Sequence, residues 1–89
     1  MQPISKEQLN EVIGFHLDNF NDENATIADD LKLSAVLSQT DGFGQSNSAE
    51  IFKNVIGWTF WRAGHPEPQW PDNWLELTID ELSTKLLNL

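Results

Sequence analysis

Cysteine is absent from this chain of 89 residues. Without cysteine there is no disulfide, no thiolate metal site and no thiol nucleophile, which excludes thiol-based redox chemistry. Long apolar runs are missing too, since no stretch approaches the ~18 apolar residues that a membrane-spanning helix needs. The first residues do not combine a basic segment with an apolar one, as a secretory signal would. We therefore expect a cytoplasmic protein that does not enter a membrane.

Basic residues are scarce. Five lysines and arginines stand against fourteen acidic residues, so the formal net charge is −9. An acidic surface repels phosphate backbones and anionic lipids, which argues against nucleic-acid and membrane partners. A protein partner with a basic surface fits this charge, since opposite charges steer two proteins together. The alternative is that the acidity only keeps the protein in solution.

The length and the apolar content, 39% of residues, suit one helical domain spanning residues 1–89. A helix is predicted to begin after Ser5, because Ser5 and Gln8 can form a capping box and Ile4 can pack on Leu9. It should run to about Phe20, since apolar residues recur there every three or four positions. That stripe contains Leu9, Val12, Ile13, Leu17 and Phe20.

The end of the chain repeats the same start signal. Thr78 and Glu81 can form a second capping box, with Leu77 and Leu82 in the flanking apolar positions. We predict a last helix from about Thr78 that packs its apolar side on the first helix. Its stripe contains Ile79, Leu82, Leu86 and Leu89.

Between these helices, residues 26–39 are predicted to form a short helix or a structured loop. Residues 46–64 are predicted to form a further long helix that ends at Gly64. Its expected inward face contains Ile51, Phe52, Val55, Ile56, Thr59, Phe60 and Ala63. Gly57 weakens the middle of this helix and would let another helix come close. The predicted fold is all-α, a small four-helix bundle.

A loop rich in proline and tryptophan precedes the last helix. Residues 65–74 hold three of the four prolines, which rules out a continuous helix there. We expect Trp70 and Trp74 to fold back over the core. Trp58 and Trp61 lie three residues apart on the preceding helix, partly off its apolar stripe. We expect this loop to cover them, and the alternative is an exposed contact surface for a partner.

Catalysis finds little support in the residues. The two histidines, His16 and His65, lie far apart in the sequence, and no serine stands in a nucleophile-elbow motif. The acidic residues do not have the spacing of a calcium loop or another metal site. We predict a protein that is not an enzyme and that binds no metal.

The glycine-rich segment "TDGFGQSNSAEIF", residues 40–52, lacks the Gly-Lys-Ser/Thr ending of a phosphate-binding loop. It is predicted to deliver serines to a helix N-terminus, with Asn47 or Ser48 as the cap. The partial positive charge at such a terminus favours a phosphate ester, a carboxylate or a simple hydroxyl cap. The residues leave these three alternatives open.

Across the whole chain, the order of these segments resembles the acyl carrier protein family. The resemblance rests on "SKEQL" in the first helix, "IADDLKL" after it, a serine just before a long amphipathic helix, and "LTIDEL" at the last helix. It implies a four-helix bundle with a 4'-phosphopantetheine arm on Ser46, or as a second choice on Ser48. It also implies an acidic docking surface on the following helix, where this chain has Glu50.

Two departures leave other functions open. The modified serine of the family stands between aspartate and leucine, whereas Ser46 stands between Gln45 and Asn47. The helix that follows carries a single acidic residue, Glu50, together with Lys53 and Arg62. A family member that has lost its arm fits these residues. A small acidic binding module, of the inhibitor or immunity type and without a prosthetic group, fits them too. In that case Glu50, Trp58 and Trp61 would contact the partner.

Overall fold

The computed structural model describes residues 3–21, 26–38 and 47–89. These residues form three α-helices: α1, Lys6–Asn19; α2, Ser48–Arg62; and α3, Ile79–Leu86. Two single turns of 3₁₀-helix, Leu33–Ala35 and Trp74–Glu76, lie before α2 and α3. The described part of the chain contains no β-strand, so the all-α prediction is confirmed at that level.

Both predicted capping boxes are present. Before α1, the Gln8 amide donates to the Ser5 hydroxyl and the Ser5 amide donates to the Gln8 side chain, each at 3.1 Å. Before α3, Thr78 and Glu81 exchange the same two bonds at 3.0 and 3.3 Å. Each cap satisfies amides that the first turn would leave without partners, and such caps stabilise a helix by about 1 kcal/mol.

The core lies where the three helices meet, and α1 packs on both α2 and α3. This confirms the predicted packing of the last helix on the first. Trp74 also enters the core, where its ring stacks on Phe52 at 6.0 Å between centroids. Trp70 packs edge-on against Trp74 at 4.9 Å, so both tryptophans fold back as predicted. The buried apolar residues are Leu9, Ile13, Leu17, Leu33, Leu37, Ala49, Phe52, Ile56, Phe60, Trp74, Leu82 and Leu86.

A four-helix bundle is not confirmed. The segment predicted as a short helix or structured loop contains one 3₁₀ turn instead of a fourth helix. Lys32 just before that turn has an extended backbone and forms an isolated antiparallel bridge with Thr78. The Leu33 amide donates to the Leu77 carbonyl at 3.1 Å. This pairing holds the segment against the entry of α3 and lets Leu33 and Leu37 reach the core without a longer helix.

Two apolar positions differ from the predicted stripes. Ile51 was expected on the inward face of α2, but its side chain is exposed. The buried positions of α2 follow a narrow stripe with spacings of three, four and four, which leaves Ile51 beside it. Leu89 was expected on the stripe of α3, but the helix ends at Leu86 and Leu89 is exposed. Asn88, with φ of 62°, turns the chain away from the helix axis.

No helix in the described ranges is both long and apolar enough to cross a membrane.

Candidate functional site

Two tryptophans stand side by side on the outer surface of α2. The side chain of Trp58 is 59% exposed and that of Trp61 is 70% exposed. Their rings lie 5.5 Å apart between centroids, with their planes at 68°. Because large apolar side chains are normally covered in a folded protein, two exposed neighbours mark this surface as a candidate binding site.

The expectation that the proline-rich loop covers these two tryptophans is wrong. The positions of α2 that face the core are 52, 56 and 60, and a residue one or two places away in a helix points to another side. The tryptophans of the loop itself, Trp70 and Trp74, pack toward Phe52. They therefore cover the inner side of α2 and leave its outer side open.

The loop instead contributes one carboxylate to the outer side. It leaves α2 through Gly64, whose φ of 83° is left-handed. The Gly64 amide donates to the Trp61 carbonyl and the His65 amide to the Phe60 carbonyl, both at 3.0 Å. These two bonds are those of a Schellman motif, which reverses the chain at a helix end. The loop consequently passes back along α2.

Glu67 lies on this returning segment. A methyl group placed on Gly57 would be 3.8 Å from the Glu67 Oε1 atom, so the carboxylate lies above the glycine. Pro66 and Pro68 flank Glu67, and a residue before proline is restricted to extended backbone. The two prolines thus reduce the freedom of the segment that presents this carboxylate. Among the described residues, no atom of another helix lies within 4 Å of such a methyl group, so Gly57 faces this loop and not the helix expected from the sequence.

Together these residues line an open groove of about 480 Å³, which we call the Trp groove. It is lined by Asn54, Gly57, Trp58, Trp61 and Glu67. The carboxylate of Glu67 forms no ion pair or hydrogen bond within the described ranges. The Trp groove therefore combines two aromatic rings with an unpaired negative charge.

Glu50 lies on the same side of α2. Residues 50, 54, 57 and 61 are separated by four, three and four positions, so they share one helix face. Glu50 is exposed in the first turn of α2, about 10 Å along the axis from Gly57 at 1.5 Å per residue. The three residues predicted to contact a partner therefore lie on one side of α2, with Trp58 and Trp61 adjacent and Glu50 about two turns before Trp58.

A second, smaller groove lies on the other side of Trp58. Its volume is about 430 Å³, and it is lined by His16, Val55, Trp58, Thr59 and Arg62. The Arg62 guanidinium carbon lies 5.7 Å from the centre of the Trp58 ring, a cation–π distance. This chain thus already holds one cation against Trp58, from the side that is not part of the Trp groove.

Most basic side chains are already engaged within the protein. Lys6 pairs with Asp80 at 3.0 Å and Lys32 pairs with Glu76 at 3.7 Å. Lys53 lies 5.7 Å from the Trp70 ring, and Arg62 lies against Trp58. In the described segments, no further acidic side chain takes part in an ion pair. The acidic side chains of the described ranges that lie outside these two pairs are therefore available to a partner.

Each of the two histidines contacts a phenylalanine ring. The ring of His16 packs edge-on against Phe15 at 5.3 Å, and that of His65 against Phe60 at 6.4 Å. Within residues 3–21, 26–38 and 47–89, no three histidine, aspartate or glutamate side chains are grouped as metal ligands. Neither histidine lines the Trp groove.

Of the two predicted arm-bearing serines, Ser48 is the first residue of α2. Ser46 falls outside the described residues. Asn47 is the N-cap, because its side-chain oxygen accepts from the Glu50 amide at 3.0 Å. The Ser48 hydroxyl accepts a hydrogen bond from the Ser38 amide at 2.8 Å. A phosphopantetheine arm on Ser48 would replace the hydroxyl hydrogen, which points to the Ser38 carbonyl at 3.5 Å.

Sequence reasoning missed Gly57 and Glu67 as parts of a site. The segment "HPEP" contained a local signal, since a charged residue between two prolines is held in extended geometry. Its position above Gly57 depends on the path of the whole loop, which no local pattern specifies.

No protein-family model, curated protein or solved structure matches this chain.

Proposed function

We propose that this protein is a small acidic binding module that docks onto a basic surface of a partner protein through the outer face of α2. One observation carries the proposal: Trp58 and Trp61 lie exposed and adjacent on that face. Tryptophan is among the residues that contribute most binding energy to protein interfaces.

The size of the exposed aromatic surface supports this function. At 59% and 70% exposure, the two tryptophans leave on the order of 300 Å² of ring surface in water, given 150–250 Å² for a buried aromatic side chain. An apolar patch of this order is comparable with the largest on a typical monomer, and such patches are often functional. It suits the centre of an interface that buries about 800 Å² on each partner.

Charge supports the choice of a basic partner. The chain carries a net charge of −9. On the proposed docking face, Glu67 borders the tryptophans and Glu50 lies about two turns before Trp58 on the same helix. Because unlike charges raise association rates, binding should weaken as salt screens them. A second copy of this chain carries the same net charge and is therefore a poorer occupant.

The test compares three immobilised proteins as baits: the wild type, the double variant Trp58→Ala/Trp61→Ala, and Phe15→Ala. Phe15 is 66% exposed on α1 and lines neither groove on α2, so its variant removes an exposed aromatic ring elsewhere. Proteins retained by the wild type are identified and expressed, and their dissociation constants are measured at low and high salt. Since all three rings are exposed, the variants should fold normally, which circular dichroism checks.

We expect a basic protein that loses about tenfold or more in affinity with the double variant, as for hot-spot residues. The Phe15→Ala variant should bind within about twofold of the wild type. The proposal is overturned if every retained protein binds the double variant equally well. Binding that is unchanged in high salt would overturn the electrostatic part.

A further inference from the structure

The geometry points to a specific occupant of the Trp groove: the side-chain ammonium of a lysine from the basic partner. This inference rests on the proposed binding function and adds what the central pocket of the interface recognises. The observations that carry it are the two ring planes, the carboxylate of Glu67 and the absence of a side chain on Gly57.

The aromatic walls attract a cation. The faces of tryptophan rings carry negative potential, and an ammonium within about 6 Å of a ring centre is attracted to it. Trp58 already accepts a cation in this protein, because Arg62 lies 5.7 Å from its centre on the side of the second groove. Trp61 borders the Trp groove and has no cation against it among the described residues.

Gly57, which forms the floor of the groove, adds space, and Glu67, which lies above it, adds charge. Gly57 has no side chain, so the groove reaches the backbone of α2 between Asn54 and Trp61. The Glu67 carboxylate lies above that floor and is without a partner in the described residues. An ammonium inserted here would meet one carboxylate and the aromatic rings together.

The angle between the rings favours lysine over arginine. A guanidinium is planar and binds best when it stacks flat on one ring or forms two parallel bonds to a carboxylate. The two rings touch edge to face with their planes at 68°, which leaves a corner beside their contact. A corner suits a compact ammonium on a flexible stem, which can approach both rings and the carboxylate at once.

The experiment follows the four indole N–H signals of the protein by nuclear magnetic resonance, assigned with single Trp→Phe variants. The probe is Nα-acetyl-lysine methylamide. Its control is Nα-acetyl-norleucine methylamide, which has the same carbon chain without the ammonium, at matched ionic strength. Choline chloride is a third arm that represents a free small-molecule cation.

The lysine probe should shift the Trp58 and Trp61 signals saturably and leave the Trp70 and Trp74 signals unchanged, whereas the norleucine control should shift neither pair. Glu67→Gln should weaken lysine binding about two- to fivefold, as for an exposed ion pair. Asp72→Asn is the matched control. It removes one charge from the same loop without touching the Trp groove, and it should bind like the wild type.

Equal shifts with lysine and norleucine would overturn the inference, as would unchanged lysine binding in Glu67→Gln. Binding of choline without binding of the lysine probe would also overturn it. Each of these outcomes concerns the occupant of the Trp groove and leaves the proposed binding function in place. A partner that requires Trp58 and Trp61, but binds Glu67→Gln as it binds the wild type, leaves the binding module in place and removes lysine as the occupant.

Discussion

Replacing Gly57 by alanine should stabilise this protein. Glycine in a helix interior is less favourable than alanine by about 0.5–1 kcal/mol, because its backbone loses more freedom on folding. The added methyl group would lie 3.8 Å from the nearest atom, Glu67 Oε1, which is an ordinary van der Waals distance. No clash opposes the gain, so the whole of it should appear in the free energy of unfolding.

Two other glycines serve as internal references for the same substitution. Gly14 lies inside α1, where an added methyl group would be 4.0 Å from Ile79 Cδ1, so Gly14→Ala should stabilise at least as much. Gly64 has φ of 83°, and a left-handed backbone costs a residue with a side chain roughly 1–2 kcal/mol. Gly64→Ala should therefore destabilise, although the chemical change is identical.

The assay is urea and thermal unfolding of the wild type and the three single variants, followed by far-UV circular dichroism. For a domain of this size, Gly57→Ala should raise the melting temperature by about 2–8 °C. Gly64→Ala should lower the melting temperature by a similar or larger amount. In all variants, the slope of the unfolding free energy against urea concentration should equal that of the wild type. A destabilised Gly57→Ala would refute the reasoning, since it would mean that atoms of the loop lie closer to the added methyl group than the 3.8 Å found for Glu67 Oε1.

Three further predictions concern single side chains. Ser83 is fully buried in α3 and its hydroxyl has no hydrogen-bond partner among the described residues. Ser83→Ala should therefore stabilise by about 0.5–1 kcal/mol in urea unfolding, and a loss of stability would reveal a partner. The Lys6 ammonium and the Asn10 amide bond to Asp80 and hold the pKa of that carboxyl below its usual 3.8. The lowered pKa contributes stability that is present above 3.8 and is lost as the pH falls through the folded-state value. When the pH is lowered from neutral to below 3.8, the Asp80→Asn variant should therefore lose less stability than the wild type. An equal loss in both proteins would show that Asp80 is not the source of this pH dependence. If Ser46 carries phosphopantetheine, co-expression with a phosphopantetheinyl transferase should add one such group to the intact mass, and Ser46→Ala should abolish the gain. An unmodified wild type beside a modified control carrier would reject the carrier hypothesis.

The helices were predictable because their signals are local. Ser5 with Gln8 and Thr78 with Glu81 each form a complete start signal within four residues. Gly64 was correctly predicted as the end of a helix, since only its own left-handed backbone is involved. The apolar stripes of α1 and α3 then determine which sides face each other.

Local patterns decide less where distant residues are in contact. The pairing of Lys32 with Thr78 joins segments 46 positions apart, and the segment beside it, predicted as a short helix or a structured loop, contains one 3₁₀ turn. The exposure of Trp58 and Trp61 depends on where the proline-rich loop runs. Its composition correctly predicted irregular backbone, but the side of α2 that its tryptophans cover is decided by the contact of Trp74 with Phe52.

The carrier hypothesis and the binding proposal concern opposite ends of α2, so the two can be tested independently. Ser46 precedes the helix, whereas Trp61 lies thirteen positions after Ser48 at the first turn, a rise of about 20 Å at 1.5 Å per residue. We therefore expect modification of Ser46 to be the same in the Trp58→Ala/Trp61→Ala variant as in the wild type. If modification of Ser46 nevertheless fell in the Trp58→Ala/Trp61→Ala variant, the transferase itself would have to dock on the outer face of α2. Such a result would join the two functions on one surface, with the aromatic face as the docking site and the serine as the group acted on.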